Sequence, residues 1–319
     1  MRKMKSIMQF KKILGLLLLL PSLAISQAKM PSGWSDGYVF ANGIRVHYYH
    51  AVPNPGKRVI VMAHGVSDNG LCWTTLTQKL QGDYDIYMVD ARGHGLSDPP
   101  TPSDSSNAMV KDLVEFVGKM KFVEPILMGH SMGAATVMRV GAEYPQLAKA
   151  IIMLDPGLRS RTPAQPTPAV PRPNTVPTQA AASSGGKSLS VAMSGTPEVL
   201  VAQNNYRYED LVAIGRRQNP LWGDLDVQYW ALSKKQYHGN YGGGARRGPV
   251  STDNPLEKIQ VPALILKADA SAEVRKANEE AASVMKKGKL VHIDGAAHNL
   301  HHDKLERTTQ VIKEFLLTL

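Results

Sequence analysis

Gly129-His130-Ser131-Met132-Gly133 sets a serine between two glycines. The short apolar run Pro125-Ile126-Leu127-Met128 precedes it and reads as a buried strand. Small and apolar residues from Ala134 to Tyr144 follow at helical spacing. A strand that turns sharply into a helix through a serine flanked by glycines is a nucleophile elbow. Only small neighbours let strand and helix pass so closely. The helix start then offers the Met132 N–H and a favourable dipole to a developing oxyanion.

A serine hydroxyl is a poor nucleophile at neutral pH and needs a base, which in turn needs an orienting group. His298 follows the last apolar run, in Gly295-Ala296-Ala297-His298-Asn299, where small residues let a loop bring the imidazole over the elbow. In the chain order serine, acid, histidine, two aspartates qualify: Asp269, beyond the strand two before the histidine, and Asp155, beyond the strand after the elbow. Asp269 is preferred for its short flexible setting. Asp155 is the rival, since it precedes Pro156 and could instead tie down an insertion. An oxyanion hole needs two backbone N–H groups; Met132 supplies one and Val66, after His64-Gly65, the other. Gly65 permits close approach of that backbone, and His64 reads as a brace for the loop, with both also placed at the substrate side.

The elements that must carry these groups follow from hydrophobic periodicity. Tyr38–Phe40 and Ile44–Tyr49 form a hairpin about Asn42-Gly43. Arg58–Ala63, Ile86–Val89, Ala150–Leu154, Val261–Leu266 and Lys289–Ile293 read as buried strands. Helices are predicted over Leu71–Leu80, from a cap at Asp104 or Ser105 to about Lys121, over Ala272–Lys287 and over Asp303–Leu317. Strand–helix alternation with short buried strands specifies an α/β fold with a doubly wound, mostly parallel sheet. His64, Asp90, Ser131, Asp155, Asp269 and His298 all fall at strand carboxyl ends, the rim where ligands bind in such sheets.

The alternation stops between Pro156 and Pro255. Arg161–Gln179 holds six prolines and Ser183-Ser184-Gly185-Gly186 follows, so about 160–190 is expected to be disordered. An aromatic, helical stretch from Pro197 to Tyr237 and a basic glycine-rich run from Gly239 to Gly248 come next. Residues 27–156 and 256–319 thus read as two parts of one core, and 157–255 as a cap over the strand ends. Trp222 and Trp230 are candidates to face the cleft; Arg207, Arg216 and Arg217 read as a solvated face.

Residues 1–26 carry five basic and no acidic residues, an apolar run from Ile13 to Leu20 and the small-residue pattern Ala24-Ile25-Ser26. That is the layout of a secretory signal, too short to span a bilayer, with cleavage expected near Ser26 and a secreted or periplasmic product without stable membrane insertion. The formal charge of +10 then falls to +5, with no concentrated basic helix, which excludes a nucleic-acid footprint. The single cysteine, Cys72, reads as a buried inert thiol, and no cysteine pair has metal-ligand spacing. His301, His302 and Asp303 read as a solvated helix start, and His94 as structural or pocket-lining.

His64-Gly65, Asp68–Trp73, Asp90–Ser97 and Gly129–Gly133 together resemble the α/β-hydrolase superfamily, in its lipase, esterase and C–C-bond-hydrolase branch with a cap. The resemblance runs from about Tyr38 to Leu317 outside the cap. It implies nucleophile, acid and base roles for Ser131, Asp269 and His298, and no metal or organic cofactor. Members that open epoxides or displace halide carry aspartate at the elbow, where this chain has Ser131. The expectation is an exported serine hydrolase of small-molecule carboxylic esters or lactones. C–C bond hydrolysis by the same triad is the alternative, and a ligand-binding protein with little turnover is the third.

Overall fold

The structure, a computed structural model, describes residues 28–101, 103–158, 196–238 and 254–319. The expected signal segment, the proline- and serine-rich tract and the glycine-rich run after Gly239 lie outside the described residues. Eight described strands form one sheet: β1 (Ser35–Ala41), β2 (Ile44–His50), β3 (Val59–Ala63), β4 (Asp85–Val89), β5 (Ile126–His130), β6 (Ala150–Leu154), β7 (Ala263–Lys267) and β8 (Gly288–His292). Their spatial order is β1-β2-β4-β3-β5-β6-β7-β8. β1 and β2 pair antiparallel, β2 meets β4 antiparallel, and all further pairs are parallel. The hairpin turns at Asn42 (φ 44°) and Gly43 (φ 80°), two positive-φ residues whose twist suits tightly joined strands.

The helices are α1 (Thr74–Leu80, after a 3₁₀ turn over Gly70–Trp73), α2 (Ala108–Lys119), α3 (Met132–Glu143), α4 (Pro197–Asn204), α5 (Tyr208–Gln218), α6 (Asp224–Lys235), α7 (Pro255–Lys258), α8 (Ala272–Ala282), α9 (Leu300–Asp303) and α10 (Leu305–Leu316). The predicted cap at Asp104 or Ser105 is displaced: α2 begins at Ala108, and the Asp104 carboxylate instead accepts from Arg92 and Thr101.

Alternate residues of the central strands point to opposite faces, as a pleated strand requires. Ile60, Met62, Met128, Ile152 and Leu264 pack with Trp73, Leu76, Ile312 and Phe315 on one side. Val61, Leu127, Ile151, Met153 and Ile265 pack with Phe116, Val137 and Val140 on the other. Both faces are covered, which is why these strands are apolar throughout. The cap helices α5 and α6 are continuous with the first of these cores through Leu211, Val227, Tyr229 and Trp230. The chain joins them early, since Ala28 N–H donates to the Tyr208 hydroxyl and the Tyr229 hydroxyl donates to Lys29 O.

β3 lies between β4 and β5, so the winding direction reverses there and opens a crevice at the carboxyl ends of β3 and β5. Ala63 and Gly129 are register partners, so both strands release their loops at the same level. α3 crosses β3 at near-contact: a Cβ on Gly133 would stand 2.0 Å from Ala63 O, and one on Gly129 2.3 Å from Gly133 O.

This close crossing makes a prediction. Gly129→Ala should destabilise by about 3 kcal/mol or more, because only backbone stands in the way. Gly118→Ala, in α2 with nothing within 4 Å, should be neutral or stabilising by about 0.5–1 kcal/mol. Urea unfolding midpoints of the two variants check the contrast.

Candidate active site

Ser131 sits at φ 50°, ψ −110°, a backbone conformation that costs a non-glycine residue on the order of 1–3 kcal/mol. The surroundings enforce it. Its N–H donates to Leu154 O at 2.9 Å on the neighbouring strand, and the next-but-one amide, of Gly133, donates to His64 O at 3.1 Å. The turn therefore holds the hydroxyl up at the crevice instead of folding it against the helix.

His298 stands over the hydroxyl. Its Nε2 lies 2.8 Å from Ser131 Oγ, and its Nδ1 lies 2.6 Å from Asp155 Oδ2. With Nδ1–H donating to the carboxylate, Nε2 accepts from the serine. His130, between the first glycine and the serine of the elbow, bonds the His298 carbonyl from its Nε2 at 3.0 Å and packs against the ring.

The aspartate that meets His298 is Asp155, not Asp269. Leu154 and Leu266 are register partners, so Asp155 emerges from β6 level with Lys267 at the end of β7. Lys267 Nζ approaches Asp155 Oδ1 at 2.5 Å and Ala268 N–H adds a bond at 3.2 Å. Burial alone would raise the carboxyl's pKa, but the His298 hydrogen bond and the Lys267 ammonium outweigh it and hold it at about 2. Asp269 lies two residues beyond the end of β7. There its carboxylate accepts from Gly295 N–H at 2.7 Å and pairs with Arg275, while its own N–H donates to Ala296 O. It shapes the loop that carries His298 without touching the imidazole.

His64 is also displaced from its expected place at the substrate. It is buried, Nδ1 bonds Gly65 O at 2.7 Å, and Nε2 accepts from Ala91 N–H at 3.0 Å. Both ring nitrogens brace the loops, and burial lowers its pKa. His94 is likewise buried, with Nδ1 on Arg92 O. His301 and His302 are not solvated: both are buried, His301 against Trp73 of the core and His302 against Trp222 of the cap. Asp303 accepts from Trp222 Nε1 at 2.7 Å and from Ala297 N–H at 2.8 Å, linking the cap to the histidine loop. Cys72 is buried, and burial raises its thiol pKa. No group of three His, Cys, Asp or Glu among the described residues could hold a metal ion.

A cavity of about 250 Å³ opens in front of Ser131 and His298. The core contributes Gly65 and Val66 to its wall, and the cap contributes Asn219, Trp222, Trp230 and Lys234. Met132 opens α3 directly after the serine, in the first turn whose amides have no partner within the helix. Arg207 and Arg216 pair with Asp210 and Asp224 inside the cap. Lys234, Lys267 and His130 were not singled out from sequence. Of these only Lys267 carried a signal, a cation closing an otherwise apolar strand beside the rim.

Residues 60–312 match the model of the alpha/beta hydrolase family. Epoxide hydrolase 1 of Caenorhabditis elegans is 21% identical over 306 residues, which is 89% of this chain and 70% of that protein. N-formylmaleamate deformylase of Pseudomonas putida is 30% identical over 124 residues, 38% of this chain, and the match spans 45% of the relative's length. The solved structure of an N-formylmaleamic acid deformylase from Pseudomonas putida superposes with TM-score 0.65 at 20% identity, over 87% of this chain and 100% of that one. At this identity the likeness concerns the fold.

Two outcomes are expected. Asp155→Asn should slow fluorophosphonate labelling of Ser131 by about 100-fold or more, whereas Asp269→Asn should leave it within about tenfold, read from labelling rates of both variants. The second concerns acid. Burial holds His130 at about 4 and His94 at about 3, and lowers His64 and His301. The unfolded chain binds protons on these rings below its ordinary histidine pKa of about 6.5 while the folded chain does not. Stability should therefore fall as pH drops from about 6.5 toward 4, by up to about 1.4 kcal/mol per pH unit for each ring. Urea midpoints across that range measure it.

Proposed function

The chain belongs to the alpha/beta hydrolase family, and from that premise we propose that it is an exported serine hydrolase of small carboxylic esters or lactones. The observation that carries this is the continuous bonding from Asp155 through His298 to Ser131, at 2.6 and 2.8 Å. Binding alone gives no reason to hold a serine in a strained turn against an oriented imidazole.

His298 Nε2 takes the Ser131 proton as Oγ attacks the acyl carbonyl. Asp155 keeps the imidazole in the tautomer that can accept it and stabilises the imidazolium that forms. The carbonyl oxygen becomes an oxyanion, held by the Met132 and Val66 N–H groups. His298 then returns the proton to the leaving alkoxide, which departs as the alcohol. Water, deprotonated by the same imidazole, attacks the acyl-serine, and collapse of the second tetrahedral intermediate frees the acid and restores Ser131. The nematode relative's epoxide chemistry is not carried over, because this elbow bears Ser131 in place of an aspartate. The name deformylase, borne by the Pseudomonas relative, accords with acyl chemistry.

The test is direct. Ser131→Ala should lower p-nitrophenyl acetate hydrolysis by about 10⁴-fold or more, and a fluorophosphonate should label the wild-type chain at Ser131 alone. Folded wild-type protein that resists the probe and releases no nitrophenol would make this a binding protein instead.

A further inference from the structure

Lys234, on the cap helix α6, is 1% exposed, and it stands in the wall of the cavity before Ser131. Burying an ammonium costs several kcal/mol unless its donors find partners. This one has three N–H groups and meets three acceptors: Ser67 O at 2.7 Å, Ser67 Oγ at 2.9 Å and Asp68 Oδ1 at 3.0 Å. The face of Trp230 lies 5.0 Å away on a further side. With its donors engaged, the ammonium acts on the loop after β3, not on a substrate.

That loop is the one carrying Val66. Ser67 is fully buried and sits at φ 61°, a left-handed conformation that a serine adopts only when held. Lys234 grips both the carbonyl and the hydroxyl of Ser67. Asp68 closes the turn by its N–H to Gly65 O at 3.2 Å. Burial opposes ionising Asp68, but the Lys234 ammonium prevails and its carboxyl is held at about 2. One residue further, Asn69 Nδ2 donates to Gln236 Oε1 at 2.7 Å. Residues 234 and 236 of the cap thus hold 67, 68 and 69 of the core.

We propose that Lys234 is a positioning residue for the oxyanion hole: by clamping Ser67 and Asp68 it aims the Val66 N–H, so that the seated cap is a working part of the acyl-transfer site. This rests on the serine-hydrolase reading above. A loop displaced by about 1 Å can cost about 100-fold in rate, and an amide aimed at the oxyanion matters in the transition state more than in the bound substrate.

The experiment compares wild type, Lys234→Met and the double variant Lys234→Met/Asp68→Asn on p-nitrophenyl acetate, with an aryl trifluoromethyl ketone as a probe that forms an oxyanion on Ser131. The double variant removes both buried charges, so it keeps the test open if the single variant does not fold. Expected is a kcat loss of about 100-fold with KM within about threefold, and ketone inhibition weakened in parallel with kcat/KM. A folded variant that keeps kcat within about twofold, or whose loss lies wholly in KM with ketone affinity unchanged, overturns the proposal. Failure of the underlying reading shows separately, as wild-type protein inert to both ester and fluorophosphonate, and it removes this proposal as well.

Discussion

The tightest constraint in the molecule is the crossing of α3 over the ends of β3 and β5. Backbone meets backbone there, with the α-carbons of Gly129 and Gly133 so close to neighbouring carbonyls that no side chain fits. Everything at the rim inherits its position from this contact. It forces Ser131 into a strained turn, and it points the start of α3 at the crevice. It also ties α3 to the loop after β3 through the Gly133–His64 bond. The strain is tolerable because the strands beneath are buried on both faces and cannot yield without opening two cores at once.

Around this crossing the charges are arranged in pairs, and the rings beneath are kept neutral. Lys267 fixes Asp155 as a carboxylate, Asp155 orients His298, and His298 faces the hydroxyl. Lys234 and Asp68 form a second, buried pair across the cavity. Below them His130 and His301 are stripped of their usual basicity by burial, while His298 is the exposed ring that meets Ser131.

Most of the sheet and the elbow were legible in sequence, because apolar strands punctuated by glycine, aspartate and histidine leave few alternatives. Ser131 and His298 stood out for the same reason and do lie together. The acid was not separable: Asp155 and Asp269 both follow buried strands in the right chain order. What divides them is strand register, with Asp155 level with Lys267 and Asp269 two residues past it, and register between distant strands is not written in either segment alone. His301 was misjudged for a related reason, while His64 braces its loop as read. A histidine beside a turn looks exposed until the packing of a remote helix is known. Lys234 was invisible for the same cause, since its partners lie 166 and 167 positions away.

The earliest described residues add a point about orientation. Ala28 and Lys29 are bonded to Tyr208 and Tyr229 of the cap. Leu319, at the other end of the chain, lies beside Lys149 and Pro262, where β6 and β7 begin. Ala28 therefore meets the cap, whereas Leu319 lies by the amino ends of two central strands. A support or fusion joined ahead of Ala28 would load the contacts that seat α5 and α6, whereas one joined after Leu319 would pull beside the amino ends of β6 and β7.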